Sequence, residues 1–303
     1  MNARIYDLII LGGGPAGMTA AIYAARASLR TIILESNITG GLVNSTYSVE
    51  NFPSWKSVHG MELTQKMREQ VDALGIDVEE VCEVEELRLT GDIKTVCTSD
   101  GDYQARAVIL ATGRAPVPLE TPTEAEEVHY CAVCDGAGYA GKRVLVVGSG
   151  NSAFDESLFL LRLGVRQLTI IGSHDVFFAA KQTQDMLFKE ACASGRTHCE
   201  VKDLVAPKGH LTAVLLKDTR TGDVETLPVD GIFVFRGQKP NNALFAGQIE
   251  LSDGYIITDK AMRTNLTGVF AAGDIVDKQY RQIITACADG AIAALSAEAY
   301  LRG

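Results

Sequence analysis

The chain has 303 residues, 47% of them apolar, with a net charge of −10 and a pI near 5.1. That length suits two domains with separate cores. The acidic balance and the lack of a basic stripe argue against nucleic acid or anionic lipid as partners, and no apolar run reads as a membrane span.

Residues 5–11 form a short apolar run interrupted by Asp7 and followed by glycines, so they read as a strand and not as a signal peptide. Gly12-Gly13-Gly14-Pro15-Ala16-Gly17 follows, then an alanine-rich helical stretch over 16–28 and a β-rich run over 31–34 that ends at Glu35. This is one βαβ unit. A helix is expected near 61–74, and a hairpin over 85–89 and 94–98, parted by Gly91-Asp92. The apolar run 107–111 closes on Thr112-Gly113, and prolines at 116 and 118 suit a linker. Residues 143–171 repeat the opening arrangement: strand 144–147, Gly148-Ser149-Gly150-Asn151-Ser152-Ala153, helix 153–163, strand 168–171. A second break falls at Lys239-Pro240-Asn241-Asn242. A strand over 269–272 then leads to Gly273-Asp274, and a long helix is expected over 282–301.

The first loop has the spacing of a dinucleotide site. Gly12 permits a tight turn, Gly14 lets backbone approach a pyrophosphate, and Gly17 lets helix and strand pack closely. The helix N-terminus supplies amides, and Glu35 can bind ribose hydroxyls. A glycine-rich turn without a ligand is the competing reading. The second loop allows the same approach at Gly148 and Gly150. Its next strand ends in Gly172-Ser173-His174-Asp175 rather than directly in an acid, so a domain that keeps the shape without the ligand is the alternative there. Near the C-terminus, Gly273-Asp274 could set a carboxylate on a ribityl or pyrophosphate group. The helix after Arg281-Gln282-Ile283 could aim amides at an electron-rich ring edge, although these residues alone also read as an ordinary strand–turn–helix.

Of seven cysteines, Cys131 and Cys134 are spaced as a CxxC pair, followed by Asp135. One thiolate can attack a substrate disulfide and the other resolve the mixed disulfide. A zinc site would need a second CxxC or paired histidines, and the sequence has neither, so no metal is expected. Cys82, Cys97, Cys192, Cys199 and Cys287 read as small apolar core residues, and the location expected is the cytoplasm.

In order and across almost the whole chain, these motifs resemble the low-molecular-weight thioredoxin reductases. They are Gly12 to Gly17, Gly40-Gly41, Val49-Glu50-Asn51-Phe52-Pro53, Ala111-Thr112-Gly113, Cys131-Ala132-Val133-Cys134-Asp135-Gly136, Gly150 to Ala153, Gly273-Asp274 and Arg281-Gln282-Ile283. The resemblance implies an α/β fold: two nucleotide-binding Rossmann-like domains of the FAD/NAD(P)-binding, three-layer ββα type, the second inserted in the first. The boundaries expected are 1–114 with 242–303 for the FAD domain, and 115–241 for a pyridine-nucleotide-like domain carrying the CxxC pair. It implies a homodimer that reduces thioredoxin or a thioredoxin-like protein.

FAD would be held by Gly12, Gly14, Pro15, Ala16, Gly17, Glu35, Ser36, Gly41, Leu42, Asn51, Ala111, Thr112, Gly113, Gly273, Asp274, Arg281, Gln282 and Ile283. Cys134 would take electrons from the flavin, Cys131 would exchange with thioredoxin, and Asp135 would be the acid–base group. Gly148, Gly150, Asn151, Ser152 and Ala153 would hold the nicotinamide nucleotide.

One stretch departs from that pattern. Relatives that use NADPH carry His-Arg-Arg-Asp-x-x-Arg-Ala where this chain has Gly172-Ser173-His174-Asp175-Val176-Phe177-Phe178-Ala179. A 2′-phosphate wants guanidinium forks, so NADH is expected ahead of NADPH, and ferredoxin is the alternative donor. A redox sensor without turnover is the reading from another class, and the intact CxxC-Asp argues against it. Phe177 and Phe178 fit either the core or the vacated phosphate position.

Overall fold

The computed structural model describes residues 5–121 and 125–303. The chain divides into two compact units, one made of Met1–Ala115 and Lys239–Gly303, the other of Pro116–Gln238.

The first unit opens with β1 (Ile5–Leu11), α1 (Pro15–Arg26), β2 (Thr31–Leu34), α2 (Gly60–Ala73), β3 (Asp77–Glu79), β4 (Val84–Arg88), β5 (Lys94–Thr98) and β6 (Gly101–Leu110). Pro15 stands at the first helical position of α1, where its fixed φ and missing N–H cost nothing. β1, β2, β3 and β6 run parallel, and Leu8, Ile9 and Ile10 are fully buried, as expected of a strand covered on both faces. β4 and β5 form the expected hairpin. It does not stand apart, because β5 pairs antiparallel with β6 and extends the same sheet.

The chain then passes through β7 (Arg114–Pro116) into the second unit. There it forms β8 (Val128–His129), α3 (Ala132–Asp135), β9 (Arg143–Val147), α4 (Asn151–Arg162), β10 (Gln167–Ile171), α5 (Lys181–Phe188), β11 (Ala193–Arg196), β12 (Cys199–Val205), β13 (Ala213–Asp218), β14 (Val224–Pro228) and β15 (Gly231–Val234). A parallel sheet in the order β11-β10-β9-β15-β8 is accompanied by a three-stranded antiparallel sheet, β12-β13-β14. The βαβ core repeats that of the first unit, with Val144, Leu145 and Val146 buried in β9 and Phe154 buried under α4. The expected helix 153–163 starts two residues earlier, at Asn151, because the turn already closes at Gly150.

After β16 (Gln238–Pro240) the first unit resumes with β17 (Leu251–Ser252), β18 (Tyr255–Ile256), β19 (Val269–Ala271) and α6 (Ile283–Arg302). β19 adds to β6 in parallel. α6 is 20 residues long with mean hydropathy 1.2, long and apolar enough by length and composition to cross a membrane. It does not stand out in the sequence as an apolar run because its character comes mostly from alanine and is broken by Asp289 and Glu298. In the structure Ala286, Gly290, Ala293, Ala294 and Ala297 turn into the core beside α1. The approach is close: a Cβ at Gly290 would lie 2.1 Å from the Ala16 carbonyl oxygen.

Candidate functional site

Strand register sets the first site. Leu11 lies beside Leu34 and Leu110, and Leu110 beside Ala271. The residues that follow, Gly12, Glu35, Ala111 and Ala272, therefore leave the sheet at one level, at the carboxyl ends of parallel strands where open α/β sheets bind ligands. Gly12 takes φ +107°, and a Cβ there would sit 2.3 Å from the Ala111 carbonyl oxygen, so no other residue fits. A Cβ on Gly17 would meet the Gly12 carbonyl oxygen at 1.8 Å. Gly14, in contrast, faces open space: a Cβ added there would have no protein atom within 4 Å. It caps α1 without a side-chain hydrogen bond, so the first amides of a 12-residue helix stay available to an anion.

Glu35 closes this loop. Its Oε2 accepts the Gly13 amide at 2.6 Å, and its Oε1 accepts the Asn37 amide at 2.9 Å and the Ser36 hydroxyl at 3.4 Å. The carboxylate thus first shapes the turn, and its remaining lone pairs are what it can offer a ribose. Gly41 and Leu42 open a short 3₁₀ turn, Gly41–Ser45, and Leu42 is exposed. Asn51 donates to the Gln282 side chain at 3.1 Å, tying the second expected segment to the start of α6. Gln282 and Thr285 form a capping box there, with Ile283 as the first helical residue.

Ala111, Thr112 and Gly113 are fastened by Asn241, a residue that sequence reasoning missed. The Thr112 hydroxyl donates to the Asn241 carbonyl at 2.9 Å, the Asn241 side chain donates to the Thr112 carbonyl at 2.8 Å, and the Asn241 amide donates to the Gly113 carbonyl at 3.1 Å. Gly273 donates to Asp289 at 3.2 Å, and Lys278 holds the same carboxylate at 2.5 Å. Arg114, also missed, donates to Asp274 at 2.9 Å.

Among the described residues, three buried polar atoms of this unit's candidate site have no hydrogen-bond partner: Arg114 Nε, Asp274 Oδ1 and Arg281 Nε. Lys278 Nζ lies 3.9 Å from Asp274 Oδ1, within ion-pair range only, and the Arg281 guanidinium covers the Tyr255 ring at 4.1 Å. Buried polar groups are normally satisfied. Two cations, a carboxylate oxygen and an open glycine loop fit a ligand with phosphates and hydroxyls, and FAD is such a ligand.

In the second unit, Val147 lies beside Ile171 and Val234, so the loop at Gly148 again leaves at the carboxyl ends of β9 and its neighbours. Gly150 caps α4 without a side-chain bond and faces open space. Ala153 is buried against the loop, whereas Asn151 and Ser152 are exposed. The segment after β10 folds back on this loop: the Phe178 and Ala179 amides both donate to the Ser149 carbonyl, at 2.7 and 3.0 Å, and the Asn151 side chain accepts the Ala180 amide at 2.8 Å. Phe177 belongs to the core, with its ring against Phe154 and Phe188. Phe178 does not: it is 61% exposed and rests edge-on against His174. Several basic side chains of this unit are already paired, among them these three. Arg196 binds Glu225, Lys181 binds Asp185 at 2.6 Å, and Arg236 binds Glu120 at 2.8 Å.

Cys131 and Cys134 form a disulfide across the single turn of α3, with Cys131 as its N-cap. The Cys134 amide donates to Cys131 Sγ at 3.0 Å. A hydrogen bond to sulfur favours the thiolate, so on reduction Cys131 is the better supported nucleophile of the two. Asp135 closes the turn and lies 3.3 Å from His129 Nδ1. Behind the turn, Glu156 of α4 accepts the Ala132 amide, while its other oxygen is buried without a partner, and burial pushes its carboxyl up to about 7. No cluster of three or more metal-ligating side chains occurs among the described residues.

Two Rossmann-type units with a redox-active cysteine pair on the second define a flavoprotein disulfide oxidoreductase, and the comparisons agree. Residues 6–290 match the family model described as pyridine nucleotide-disulphide oxidoreductase, and the chain belongs to that family. It is 41% identical to the thioredoxin reductase of Streptomyces clavuligerus, over 98% of this chain and 94% of that one. It is also 41% identical to a 34.2 kDa protein in the rubredoxin operon of Clostridium pasteurianum, over 98% and 97%. The crystal structure of Lactococcus lactis thioredoxin reductase superposes with a TM-score of 0.89 at 38% identity, covering 98% of this chain and 99% of that one.

Proposed function

We propose that the chain reduces the disulfide of thioredoxin or a thioredoxin-like protein. Two electrons would pass from a donor through FAD to Cys131–Cys134 and on to the substrate. The observation that carries this is the disulfide itself, formed between Cys131 and Cys134 with Asp135 at the end of the same turn. Relatives named thioredoxin reductase support the choice of substrate.

In this reading FAD supplies the ring that takes a two-electron load from the donor and gives it to the disulfide. The chain supplies binding and proton handling. Gly12, Gly14, Pro15, Ala16 and Gly17 would receive the pyrophosphate at the start of α1. Glu35 would bind the adenosine ribose with Ser36 beside it, and Asp274, steadied by Arg114, would bind the ribityl region. Gly41, Leu42, Asn51, Ala111, Thr112, Gly113, Gly273, Arg281, Gln282 and Ile283 would hold the rest. Cys134 would accept the electrons, Cys131 would exchange with the substrate, and Asp135 would take and return protons. A homodimer is supported by Ile284, Ile292 and Leu295, apolar side chains left exposed on α6. A cytoplasmic location is supported by the five cysteines outside the pair, all of which are free.

For the donor we propose NADH, bound through Gly148, Gly150, Asn151, Ser152 and Ala153. The Gly172 to Ala179 stretch offers a 2′-phosphate no guanidinium, and Lys181 and Arg236 are engaged elsewhere. Charge-assisted hydrogen bonds contribute about 1.5–3 kcal/mol each, and about 1.4 kcal/mol is tenfold in affinity, so loss of such a fork is enough to erase a preference for NADPH. Reduced ferredoxin is the second reading. It is favoured by the same arginine-free segment closing over Ser149 with Phe178 exposed, because an iron–sulfur donor needs no phosphate site. Anaerobic titration of the bound flavin with NADH, NADPH and reduced ferredoxin in turn tests both. Bleaching by NADH at lower concentration than NADPH supports the first, and bleaching by ferredoxin alone supports the second. A protein that binds no FAD overturns the proposal.

A further inference from the structure

We infer that His129 is the proton-exchanging partner of Asp135 during thiol–disulfide exchange, held in the required tautomer by Tyr139. The inference rests on the thiol-exchange reading given above.

Three side chains make a line that ends beside the cysteine turn. The Tyr139 hydroxyl meets His129 Nε2 at 2.6 Å, and His129 Nδ1 faces Asp135 Oδ2 at 3.3 Å. Tyr139 is buried, and that burial, with Glu127, Asp135 and Asp230 adding to it, pushes its hydroxyl up to about 12. The hydroxyl therefore keeps its proton and can donate it to Nε2 of a neutral His129, and in that arrangement the imidazole proton sits on Nδ1, the nitrogen nearer the carboxylate. If Nε2 gains a proton, the same hydroxyl can turn and accept it, so both charge states of the imidazole keep this partner.

The line is built into the sheet. His129 lies in β8, in register with Phe233 of β15, whose ring covers the imidazole at 5.1 Å. Tyr139 stands edge-on to both rings. Room for it exists only because residue 231 is glycine: a Cβ there would lie 2.1 Å from the tyrosine ring. The titratable groups on the imidazole are thus Asp135 and Tyr139, with Glu127 and Asp230 acting on the latter.

The chemistry needs such a group. Starting from the reduced pair, Cys131 loses its proton to the Asp135–His129 dyad and attacks the substrate disulfide. A bond forms between Cys131 Sγ and one substrate sulfur, the substrate S–S bond breaks, and the departing sulfur takes the proton back from the dyad. Cys134 then gives up its proton and attacks Cys131 Sγ, restoring the Cys131–Cys134 bond and releasing the second substrate sulfur, which is protonated in turn. The enzyme dithiol is oxidised, the substrate disulfide is reduced, and two protons move from enzyme thiols to substrate thiols. Asp135, at the end of the cysteine turn, is the group that exchanges protons with the sulfurs in this scheme, and His129 and Tyr139 are positioning residues behind it.

Proton return matters only when the departing thiol is a poor leaving group, and that supplies the test. The holoprotein is reduced with dithiothreitol, desalted, and mixed with either 5,5′-dithiobis(2-nitrobenzoate), whose thiol leaves as an anion, or bis(2-hydroxyethyl) disulfide, whose alkyl thiolate needs a proton. Closure of the Cys131–Cys134 pair is followed by quenching with iodoacetamide and weighing the peptide, between about pH 6 and 9. His129→Leu and His129→Asn are expected to slow the alkyl disulfide about tenfold, less than the roughly hundredfold or more of direct acid–base assistance because His129 acts through Asp135, and to slow the aromatic one much less. Tyr139→Phe should fall between them and wild type. H129N keeps an N–H for Asp135 but cannot titrate, so full activity in H129N, or an equal loss on both disulfides, overturns the inference and leaves the thiol-exchange reading standing. A wild-type dithiol inert to both disulfides would instead sink that reading.

Discussion

Glu156→Gln should gain heat resistance relative to the wild type as pH rises from about 5 to about 7, and hold that gain above 7. The carboxyl of Glu156 sits behind the cysteine turn, with one oxygen on the Ala132 amide and the other buried without a partner. Burial, reinforced by neighbouring Asp155, lifts it from an ordinary 4.5 to about 7. A carboxyl raised in the folded state weakens folding as pH rises. Below about pH 4.5 both states are protonated and nothing is lost. Between about 4.5 and 7 the unfolded chain releases its proton first and gains stability relative to the fold, and above 7 the loss is complete. At 1.36 kcal/mol per pH unit the full effect is about 3 kcal/mol.

Glutamine keeps the acceptor for the Ala132 amide and cannot ionise. Its own buried amide adds a cost of about 1–3 kcal/mol that does not vary with pH. The informative quantity is therefore the change in the difference between the two proteins. Melting followed by circular dichroism from about pH 5 to 8.5 should show E156Q gaining about 6–10 °C on wild type across that range, taking 2–4 °C per kcal/mol. A difference in Tm that stays constant over the whole range would refute the reasoning, because it would mean that Glu156 ionises in the fold as easily as in the unfolded chain.

Gly14→Val should give folded protein without yellow colour, since a side chain there enters space that no protein atom occupies, and the absorbance spectrum reads this directly. Gly12→Ala should instead lower the yield of folded protein, because its methyl collides with the Ala111 carbonyl. After reduction and mixing with a disulfide substrate, Cys134→Ser should trap a mixed disulfide on Cys131, visible as added mass. Cys131→Ser should trap far less, because Cys134 lacks the amide contact that supports Cys131 Sγ.

The two βαβ cores were legible because their signals are local and periodic: an apolar run, a glycine turn and an amphipathic helix, at 5–34 and again at 143–171. The turn at Gly12 was legible for the same reason, since its geometry depends on residues a few positions apart. Contacts between distant segments were not. Arg114 meets Asp274, and Asn241 meets Thr112, across more than a hundred residues, and nothing in either local pattern marks the partner. The strands β12 and β14 carry several charged, exposed residues and no strict alternation, so they gave no strand signal. His129 and Tyr139 lie only ten residues apart and were still passed over, because the irregular turn between them decides whether they meet, and no periodicity describes such a turn.

The close fit of α6 on α1 has a consequence for how the chain is made. The helix that backs the first glycine loop, through Gly290 against Ala16, leaves the ribosome after every element described above, and β19, which closes the sheet beside β6, precedes it only slightly. The second unit is one continuous stretch, Pro116–Gln238, and is complete long before then. Domains fold as units during synthesis, at about 5–20 residues per second. The inserted unit thus matures first, while the opening βαβ motif waits with one face uncovered until α6 arrives. Chains cut short before residue 269 would keep an intact cysteine turn and lack a finished first unit.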